Sequence, residues 1–259
     1  ECSIQRRNQK VVEEAPSAIM TDDLRKRMGE AAVNVAKACH YRSAGTVEFL
    51  VDADRNFYFL EMNTRLQVEH PVTEFITGLD LVEEQIKVAQ GQKLSFSQED
   101  LRINGHAVEL RVMAEDVWND FAPDTGIISK YILPKGDGVR VDSGVTEGAE
   151  VSVYYDSMLA KLITYGKNRN EAIQNMLQAI DEYVVEGIHT TLPFGYFVCR
   201  HPAFVSGNFT TAFIPEHFSR DKARAVYEKE AAMAARLALY QYLDDRKKLR
   251  IPSIIRYKN

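Results

Sequence analysis

The sequence predicts an α+β fold, in which a mostly antiparallel β-sheet is flanked by helices. Short runs of β-branched and aromatic residues alternate apolar with polar side chains and are separated by turns rich in glycine and charged residues. Neighbouring runs joined by such short turns pair as antiparallel strands, because a parallel connection needs a crossover of a dozen or more residues. Stretches with helical periodicity lie between these runs.

Composition restricts the class of protein. The chain has 259 residues, of which 45% are hydrophobic and 27% are charged, as in ordinary globular proteins. Its net charge of -5 argues against a nucleic-acid partner, and the absence of any apolar run near ~18 residues argues against a membrane span. The cysteines are too dispersed for a disulfide framework, so we predict a cytoplasmic location. The chain starts at Glu1 within a strand-like pattern, which indicates a fragment.

The first elements are a charged strand and a helix. Residues 1–14 combine strand-like alternation with cations at Arg6, Arg7 and Lys10, which fit either an edge strand protected by charge or an anion site, the edge strand being favoured. A helix is predicted from Asp22 to His40 with Thr21 as its N-cap. Its predicted core stripe consists of Leu24, Met28, Ala31, Val35, Ala38 and Cys39.

A hairpin follows, formed by residues 47–51 and 57–61. If a four-residue loop joins the strands, Glu48 lies directly opposite Glu61, with Cβ atoms about 5 Å apart. Two carboxylates at that distance need a shared proton or a cation, and with the amide of Asn63 they suit Mg²⁺ or Mn²⁺. A five-residue loop would put the two side chains on opposite faces.

Residues 61–69 continue as a row of alternating side chains. Read as a strand, the row has Met62, Thr64, Leu66 and Val68 on its apolar face. The polar face consists of Glu61, Asn63, Arg65, Gln67 and Glu69. Alternation alone is most typical of a half-solvated surface strand.

The remaining chain is predicted in order from caps, alternation and breakers. A helix over residues 72–90 is interrupted at Gly78 and restarted at Asp80, and a strand at 105–113 follows, in which His106 is interpreted as structural. A meander of strands is predicted at 127–133, 139–141, 151–153 and 158–165. The last elements are a helix capped by Asn170 and ending at Gly187, short helices between residues 190 and 218, and one helix over 220–248.

Four segments together resemble the biotin carboxylase family, which has an ATP-grasp core. These segments are residues 2–16, 61–74, 109–116 and 155–163. The resemblance implies the carboxyl-terminal part of an ATP-grasp domain over 1–103, a biotin carboxylase C-terminal domain over 104–219 and a helical tail over 220–259. It also implies ATP-dependent carboxylation of carrier-bound biotin by bicarbonate, through carboxyphosphate. The implied partners are a second copy in a homodimer, a biotin carboxyl carrier protein and a carboxyltransferase subunit.

The resemblance also assigns roles to residues. The divalent-metal ligands are Glu48, Glu61 and Asn63. The bicarbonate site consists of Arg65, Gln67 and the backbone of Val68. The nucleotide contacts are Lys10, Gln5 and Asn8, although some relatives carry His at Asn8. Glu69 matches the general base for bicarbonate, Arg65 is counted with the catalytic residues, and Arg111 matches the arginine that stabilises the biotin enolate.

The resemblance has limits and consequences. The family's N-terminal domain and glycine-rich lid precede the matched region, so we predict that this fragment alone has no ATP turnover. Trp118 stands where many relatives have a proline-containing turn. An extended chain from Glu61 to Glu69 would span about 26 Å, too long for one site, so the strand must bend or end after Asn63.

Three alternatives concern the function. The first segment looks most like acyl-CoA carboxylases that act on propionyl-CoA, with acetyl-CoA, pyruvate or another acceptor left open. A non-catalytic interaction module would use the predicted strands and the 220–248 helix, but such a module does not need the polar row. Another ATP-grasp ligase would share the metal-binding carboxylates, whereas Arg65, Gln67, Glu69 and Arg111 favour bicarbonate and biotin.

Overall fold

The computed structural model describes the backbone of residues 2–248, and the side chains of this range apart from positions 2, 3, 220 and 222–230. The longer strands are β1 (Cys2–Arg6), β2 (Gln9–Ala15), β3 (Thr46–Val51), β4 (Phe57–Asn63), β5 (His106–Met113), β10 (Val139–Ser143) and β12 (Met158–Gly166). The short strands are β6 (Glu115–Asp116), β7 (Ala122–Pro123), β8 (Gly126–Ile127), β9 (Lys130–Ile132), β11 (Glu150–Val151) and β13 (Val184–Glu186).

The helices lie between and after these strands. They are α1 (Asp22–Ala38), α2 (His70–Thr77), α3 (Leu81–Ala89), α4 (Arg169–Glu182), α5 (Leu192–Arg200), α6 (Pro202–Ser206), α7 (Phe213–His217) and α8 (Arg220–Lys248). The chain divides into two units, residues 1–214 and 215–259. In the described range no helix is both long enough and apolar enough to cross a membrane.

A five-stranded antiparallel sheet organises the first unit, in the order β1-β2-β5-β12-β10. Strand β5 is central and buried on both faces, so its side chains alternate between two covered layers. Helix α2 packs on the face of Ala107 and Ile163, whereas α5 approaches Leu110 on the opposite face at Gly195. The predicted α+β architecture is confirmed.

The predicted meander is wrong, because the strands of the sheet are not neighbours in chain order. Strand β5 pairs with β12 across more than 40 residues of intervening chain, and with β2, which precedes it. The intervening short strands form separate two-stranded ladders, β6 with β7, β8 with β11 and β9 with β13. The predicted strand at 127–133 is thus divided, and that at 151–153 ends at Val151.

Most helix boundaries follow from their caps. Thr21 accepts a hydrogen bond from the backbone of Leu24 at 3.2 Å, and Asp80 accepts one from Glu83 at 2.8 Å. Gly78 ends α2 in the left-handed conformation, with φ of 73°. The proline-rich region forms the short helices α5, α6 and α7, and α8 is one continuous helix, as predicted.

Two helix predictions are wrong. Asn168, and not Asn170, caps α4, because the Asn168 side chain accepts from the backbone of Glu171; the helix ends at Glu182 and not at Gly187. Helix α1 ends at Ala38, and Leu24 is its only buried residue among the described side chains. Cys39 is exposed and does not pack in a core.

Candidate active site

The hairpin places two carboxylates side by side. Glu48 of β3 is paired directly with Glu61 of β4, so this predicted pairing is confirmed. The predicted four-residue loop is wrong, because Val51 pairs with Phe57 and leaves residues 52–56 in the loop. A register shift after Glu48 leaves Leu60 unpaired as a β-bulge and restores the alignment.

Neutral and cationic donors surround the carboxylate pair. The amide nitrogen of Asn63 donates to Glu48 at 3.1 Å and to Glu61 at 2.9 Å. Lys10 donates to the same oxygen of Glu48 at 3.0 Å, and the side chain of Gln67 donates to it as well. These contacts offset the repulsion that two adjacent anions would otherwise experience.

The strand that contains the first residues of the polar row ends at Asn63, as predicted from the length that the whole row would have if it were extended. Residues 64–69 form a loop, and α2 begins at His70. The ring of His70 contacts the carbonyl oxygen of Gln67 at 2.7 Å, and the side chain of Gln67 turns back to Glu48. The loop therefore folds the row onto itself, and the separation between Glu48 and Glu69 is bridged by one lysine side chain.

Glu69 lies between two cations. Lys10 donates to one oxygen of Glu69, and Arg111 donates to the other at 3.0 Å. All three side chains are between 12% and 19% exposed, so solvent screens these charges weakly. Burial by itself raises the pKa of Glu69, but the hydrogen bond and charge of Lys10, followed by the charge of Arg111, outweigh it and lower the pKa. Glu69 is thus anionic at neutral pH.

Lys10 is held in its charged form by the same contacts. Burial opposes the charge, but the carboxylates of Glu69 and Glu48 raise the pKa of Lys10 above its ordinary value. A fixed ammonium group therefore connects the metal-type carboxylates with the candidate base.

Within residues 1–14, some of the remaining side chains lie beside the candidate active site and others lie at the edge of the five-stranded sheet. β1 is the edge strand of the sheet, as the favoured reading predicted. Arg6 and Arg7 form ion pairs with Asp120, both at 3.1 Å. Gln5 is paired with Lys10 across the β1–β2 ladder and therefore lies beside the site, whereas Asn8 is exposed in the turn, with φ of 66°.

Arg65 and Val68 border the loop in different ways. Arg65 contacts the amide oxygen of Asn63 at 3.4 Å and the carbonyl oxygen of Leu66 at 3.2 Å. The carbonyl oxygen of Val68 accepts a hydrogen bond from Lys161 at 3.0 Å. Lys161, opposite Arg111 in the sheet and paired with Asp142 at 3.1 Å, was not singled out from the sequence. The alternation of β12 assigns Lys161 to one face of that strand. It does not show that this face lies beside the candidate site, because the partner strand is unknown from the sequence.

The carboxylate pair fits a hard divalent cation. Glu48 and Glu61 offer charged oxygens to a hard cation. Asn63 would coordinate through its amide oxygen, which contacts Arg65 at 3.4 Å, while its amide nitrogen faces the two carboxylates. Among the residues that the structure describes, no group of three or more His, Cys, Asp or Glu side chains is positioned to hold a metal ion. A cation held by two carboxylates and one amide leaves positions for substrate phosphates, as is typical of Mg²⁺.

Two family models match consecutive parts of the chain. The model described as "Carbamoyl-phosphate synthase L chain, ATP binding domain" matches residues 1–97. The model described as "Biotin carboxylase C-terminal domain" matches residues 109–216. The chain belongs to the biotin carboxylase family. The resemblance inferred from the sequence motifs is confirmed, and the predicted ATP-grasp ligase class is that of the family's full-length members.

Similar proteins include enzymes with different acceptors. The chain is 56% identical over 218 residues to the mitochondrial propionyl-CoA carboxylase alpha chain of Homo sapiens, covering 83% of this chain and 30% of that protein. It is 52% identical over 239 residues to a pyruvate carboxylase subunit of Methanothermobacter thermautotrophicus, covering 92% of this chain and 48% of that one. The chain thus spans about half the length of these relatives, or less.

A solved biotin carboxylase domain has the same fold. One chain of the biotin carboxylase domain dimer of 2-oxoglutarate carboxylase from Hydrogenobacter thermophilus, solved in complex with MgADP, ADP and bicarbonate, superposes with a TM-score of 0.82 at 47% identity. The match covers 83% of this chain and 48% of that one. The predicted roles of individual residues, and the domain boundaries at 103 and 219, stay predictions.

Proposed function

We propose that this chain supplies part of a biotin carboxylase active site, which carboxylates carrier-bound biotin with ATP and bicarbonate through carboxyphosphate. The observation that carries the proposal is the position of Glu69, a half-buried anion held between Lys10 and Arg111 beside the Glu48–Glu61 pair. A base, an oxyanion partner and a metal-type carboxylate pair are the groups that this chemistry needs in one place.

Glu48, Glu61 and Asn63 would hold Mg²⁺ or Mn²⁺, which would neutralise phosphate charge when bound. Lys10 and Gln5 line the adjacent part of the sheet, where a compact ammonium and a neutral amide suit a phosphate and its nucleotide. Asn8, exposed in the β1–β2 turn, is proposed as a more peripheral nucleotide contact.

Bicarbonate would be held by Arg65, Gln67 and the backbone of Val68, a cation with neutral donors for a small anion. Glu69, which the neighbouring cations keep deprotonated, accepts the bicarbonate proton. The guanidinium of Arg111 is then free to stabilise the negative charge that develops on the biotin ureido oxygen. Arg111 is thus a catalytic residue in this proposal, acting directly on the second substrate.

The test is a reconstituted enzyme in which the chain is joined to the N-terminal half that its relatives have. ADP formation that requires both bicarbonate and biotin, with carboxybiotin as the product, supports the proposal. ADP formation that requires an amine or amino-acid acceptor instead would assign the chain to another ATP-grasp ligase. For the isolated 259-residue chain we predict no ATP turnover, and bicarbonate-dependent ADP release from it would contradict that prediction.

We further propose the assembly in which the site works. A biotin carboxyl carrier protein presents biotin, a carboxyltransferase subunit uses the product, and two copies form a homodimer, as in the solved domain dimer. We retain an acyl-CoA acceptor, propionyl-CoA first, because the propionyl-CoA carboxylase relative is 56% identical, although the pyruvate carboxylase relative is nearly as similar. Co-purification with an acyl-CoA carboxyltransferase supports this choice, and co-purification with a pyruvate carboxyltransferase overturns it.

We place this assembly in the cytoplasm. The free thiols of Cys39 and Cys199 agree with a reducing compartment. Fractionation of the source cells, with immunodetection of this chain, tests the location. Recovery in an organelle fraction would contradict it.

A further inference from the structure

Two buried carboxylates beside the candidate site have no role in the proposed chemistry. Glu13 of β2 and Glu109 of β5 are directly paired across the antiparallel ladder. Glu13 is 4% exposed and Glu109 is 0% exposed. Both side chains lie on the sheet face that also carries Arg111, because Glu109 and Arg111 are two residues apart on one strand.

The pair is poorly provided with partners. In the described part of the chain, neither carboxyl oxygen of Glu109 has a hydrogen-bond partner. Among the described residues, Glu13 accepts one long hydrogen bond, from Arg111 at 3.4 Å. Two buried and adjacent carboxylates with so little compensation cannot both be charged at low cost, so one of them keeps a proton.

Arg111 serves two carboxylates with one nitrogen. Its Nη2 atom is 3.0 Å from Glu69 and 3.4 Å from Glu13. The Nε atom of the same side chain is buried and has no partner among the described residues. The position of the guanidinium therefore depends on which of the two carboxylates attracts it more strongly.

The surrounding charges decide which carboxyl group keeps the proton. The charged groups that face the pair are Lys10 of β2, Glu69 of the loop before α2, Arg111 of β5 and Lys161 of β12. Burial, and then the charge of Glu13, raise the pKa of Glu109 well above its ordinary value. Burial, and then the charge of Glu69, raise the pKa of Glu13 to about 7. Glu109 is therefore the neutral member at pH 7, and Glu13 changes charge near that pH.

We propose that Glu13, kept beside a protonated Glu109, is a positioning residue for Arg111. When Glu13 is neutral, Arg111 pairs with Glu69 and stays in the candidate site. When Glu13 is charged, it competes for the same Nη2 atom and draws the guanidinium toward β2. The consequence for catalysis rests on the proposed function, but the competition itself is a property of this chain alone.

Carboxyl NMR on the 259-residue chain tests the competition without any activity. In ¹³C-labelled glutamate spectra, the resonance that disappears in Glu13→Gln is expected to titrate with a midpoint near 7. The ¹⁵Nε resonance of Arg111, assigned from Arg111→Lys, should shift with the same midpoint. A Glu13 midpoint below ~5, or an Arg111 resonance that does not respond to it, would overturn the proposal.

Glu109→Gln separates the roles of the two carboxyl groups. Gln has the shape and charge of protonated Glu, so this variant should leave the midpoint of Glu13 within about half a pH unit of wild type. A fall of more than about one unit would mean that Glu109 is charged in the wild type and that the proposal is wrong. This variant also keeps the test decisive if Glu13→Gln does not fold.

Activity provides a second readout in the reconstituted enzyme. Glu13→Gln should remove an inflection near pH 7 from the profile of biotin carboxylation and leave KM for ATP unchanged. The matched control is Glu84→Gln, since Glu84 is 7% exposed but pairs with Lys87 and Ser95; its profile should keep the inflection. An inflection that survives in Glu13→Gln contradicts the proposal, whereas a wild-type enzyme without activity contradicts only the proposed function.

Discussion

Glu13 and Glu14 are neighbours on β2, equally buried, and entirely different in their surroundings. Glu14 is 1% exposed and lies on the face opposite Glu13. Arg169 donates to both oxygens of Glu14, at 2.7 and 3.1 Å, and the Nε2 atom of His106 contacts it at 2.8 Å. Within the described part of the chain, Glu13 accepts one long hydrogen bond, from an arginine that it shares with Glu69.

The difference between the two glutamates separates stability from function. A fully paired buried carboxylate fixes the strands and helices that contact it, since removal of any partner leaves an uncompensated charge. A partly paired carboxylate can change its charge or release its partner at lower cost. The face of Glu14 thus connects the sheet to α4, and the face of Glu13 borders the candidate active site.

Glu69→Gln in the reconstituted enzyme has the largest expected effect, on the functional face. Removal of the proposed base should lower bicarbonate-dependent biotin carboxylation by roughly 10³- to 10⁴-fold. Binding of Mn²⁺ should be retained, because Glu48 and Glu61 are unchanged. The paramagnetic effect of Mn²⁺ on water relaxation measures this binding. Turnover at the wild-type rate would exclude Glu69 as the base.

Arg169→Met tests the structural face. Glu14 would lose the two hydrogen bonds from Arg169 and keep its contact with His106, and we expect the free energy of unfolding to fall by about 3–5 kcal/mol. Urea denaturation of the 259-residue chain measures it. The double variant Arg169→Met with Glu14→Gln should recover part of the loss, since no buried charge then lacks a partner. Equal stabilities of the single variant and the wild type would remove the contrast between the faces.

Arg111→Ser tests the face of Glu13 again, and its expected effect on biotin carboxylation is somewhat smaller than that of Glu69→Gln. Biotin carboxylation should decrease by roughly 10²- to 10³-fold, as for removal of an oxyanion partner, while ATP binding largely survives. Isothermal titration with ATP and a carboxybiotin assay provide the two readouts. Equal loss of both would mean that Arg111 has a structural role.

Glu13→Gln should produce a smaller effect on stability, and one that depends on pH. The pKa of Glu13 is about 7 in the folded chain, against ~4.3 when unfolded, so the folded state holds the extra proton between these values. Stability from this group is present at low pH and is lost as pH rises toward 7.

The variant should therefore match the wild type near pH 4 and be more stable above pH 7, by on the order of 3 kcal/mol. Urea unfolding at a series of pH values measures how the free energy of unfolding changes with pH in the variant and in the wild type. If the stability difference between Glu13→Gln and the wild type instead grows toward acid pH, the pKa of Glu13 is not raised in the folded chain.

Local features of the fold could be predicted from the sequence, and long-range pairings could not. Thr21 and Asp80 indicated the starts of their helices, because a cap acts within three residues. The pairing of Glu13 with Glu109 joins strands that are 96 positions apart, and alternation does not reveal which strands are neighbours. For the same reason Lys161 and the closed arrangement of Glu69 with Arg111 became apparent only in the structure.

Some predictions from local pattern were also wrong, for physical reasons. Asn168 and Asn170 are both of a residue type that caps helices well, and it is the Asn168 side chain that accepts the hydrogen bond from the backbone of Glu171. The apolar stripe of α1 predicted burial for Cys39, but within the described residues few side chains cover that helix. The Glu48–Glu61 pairing was predicted from a loop of the wrong length and is correct because of a bulge.

That bulge at Leu60 makes the length of the hairpin loop independent of the register of the carboxylates. The ladder between residues 49–51 and 57–59 follows one alignment, and the ladder beyond Leu60 follows another. An insertion or deletion near the tip changes the first ladder, while the spare residue can absorb the change before it reaches Glu48 and Glu61. The hairpin can therefore vary in length among descendants of this sequence without separating the two acidic side chains.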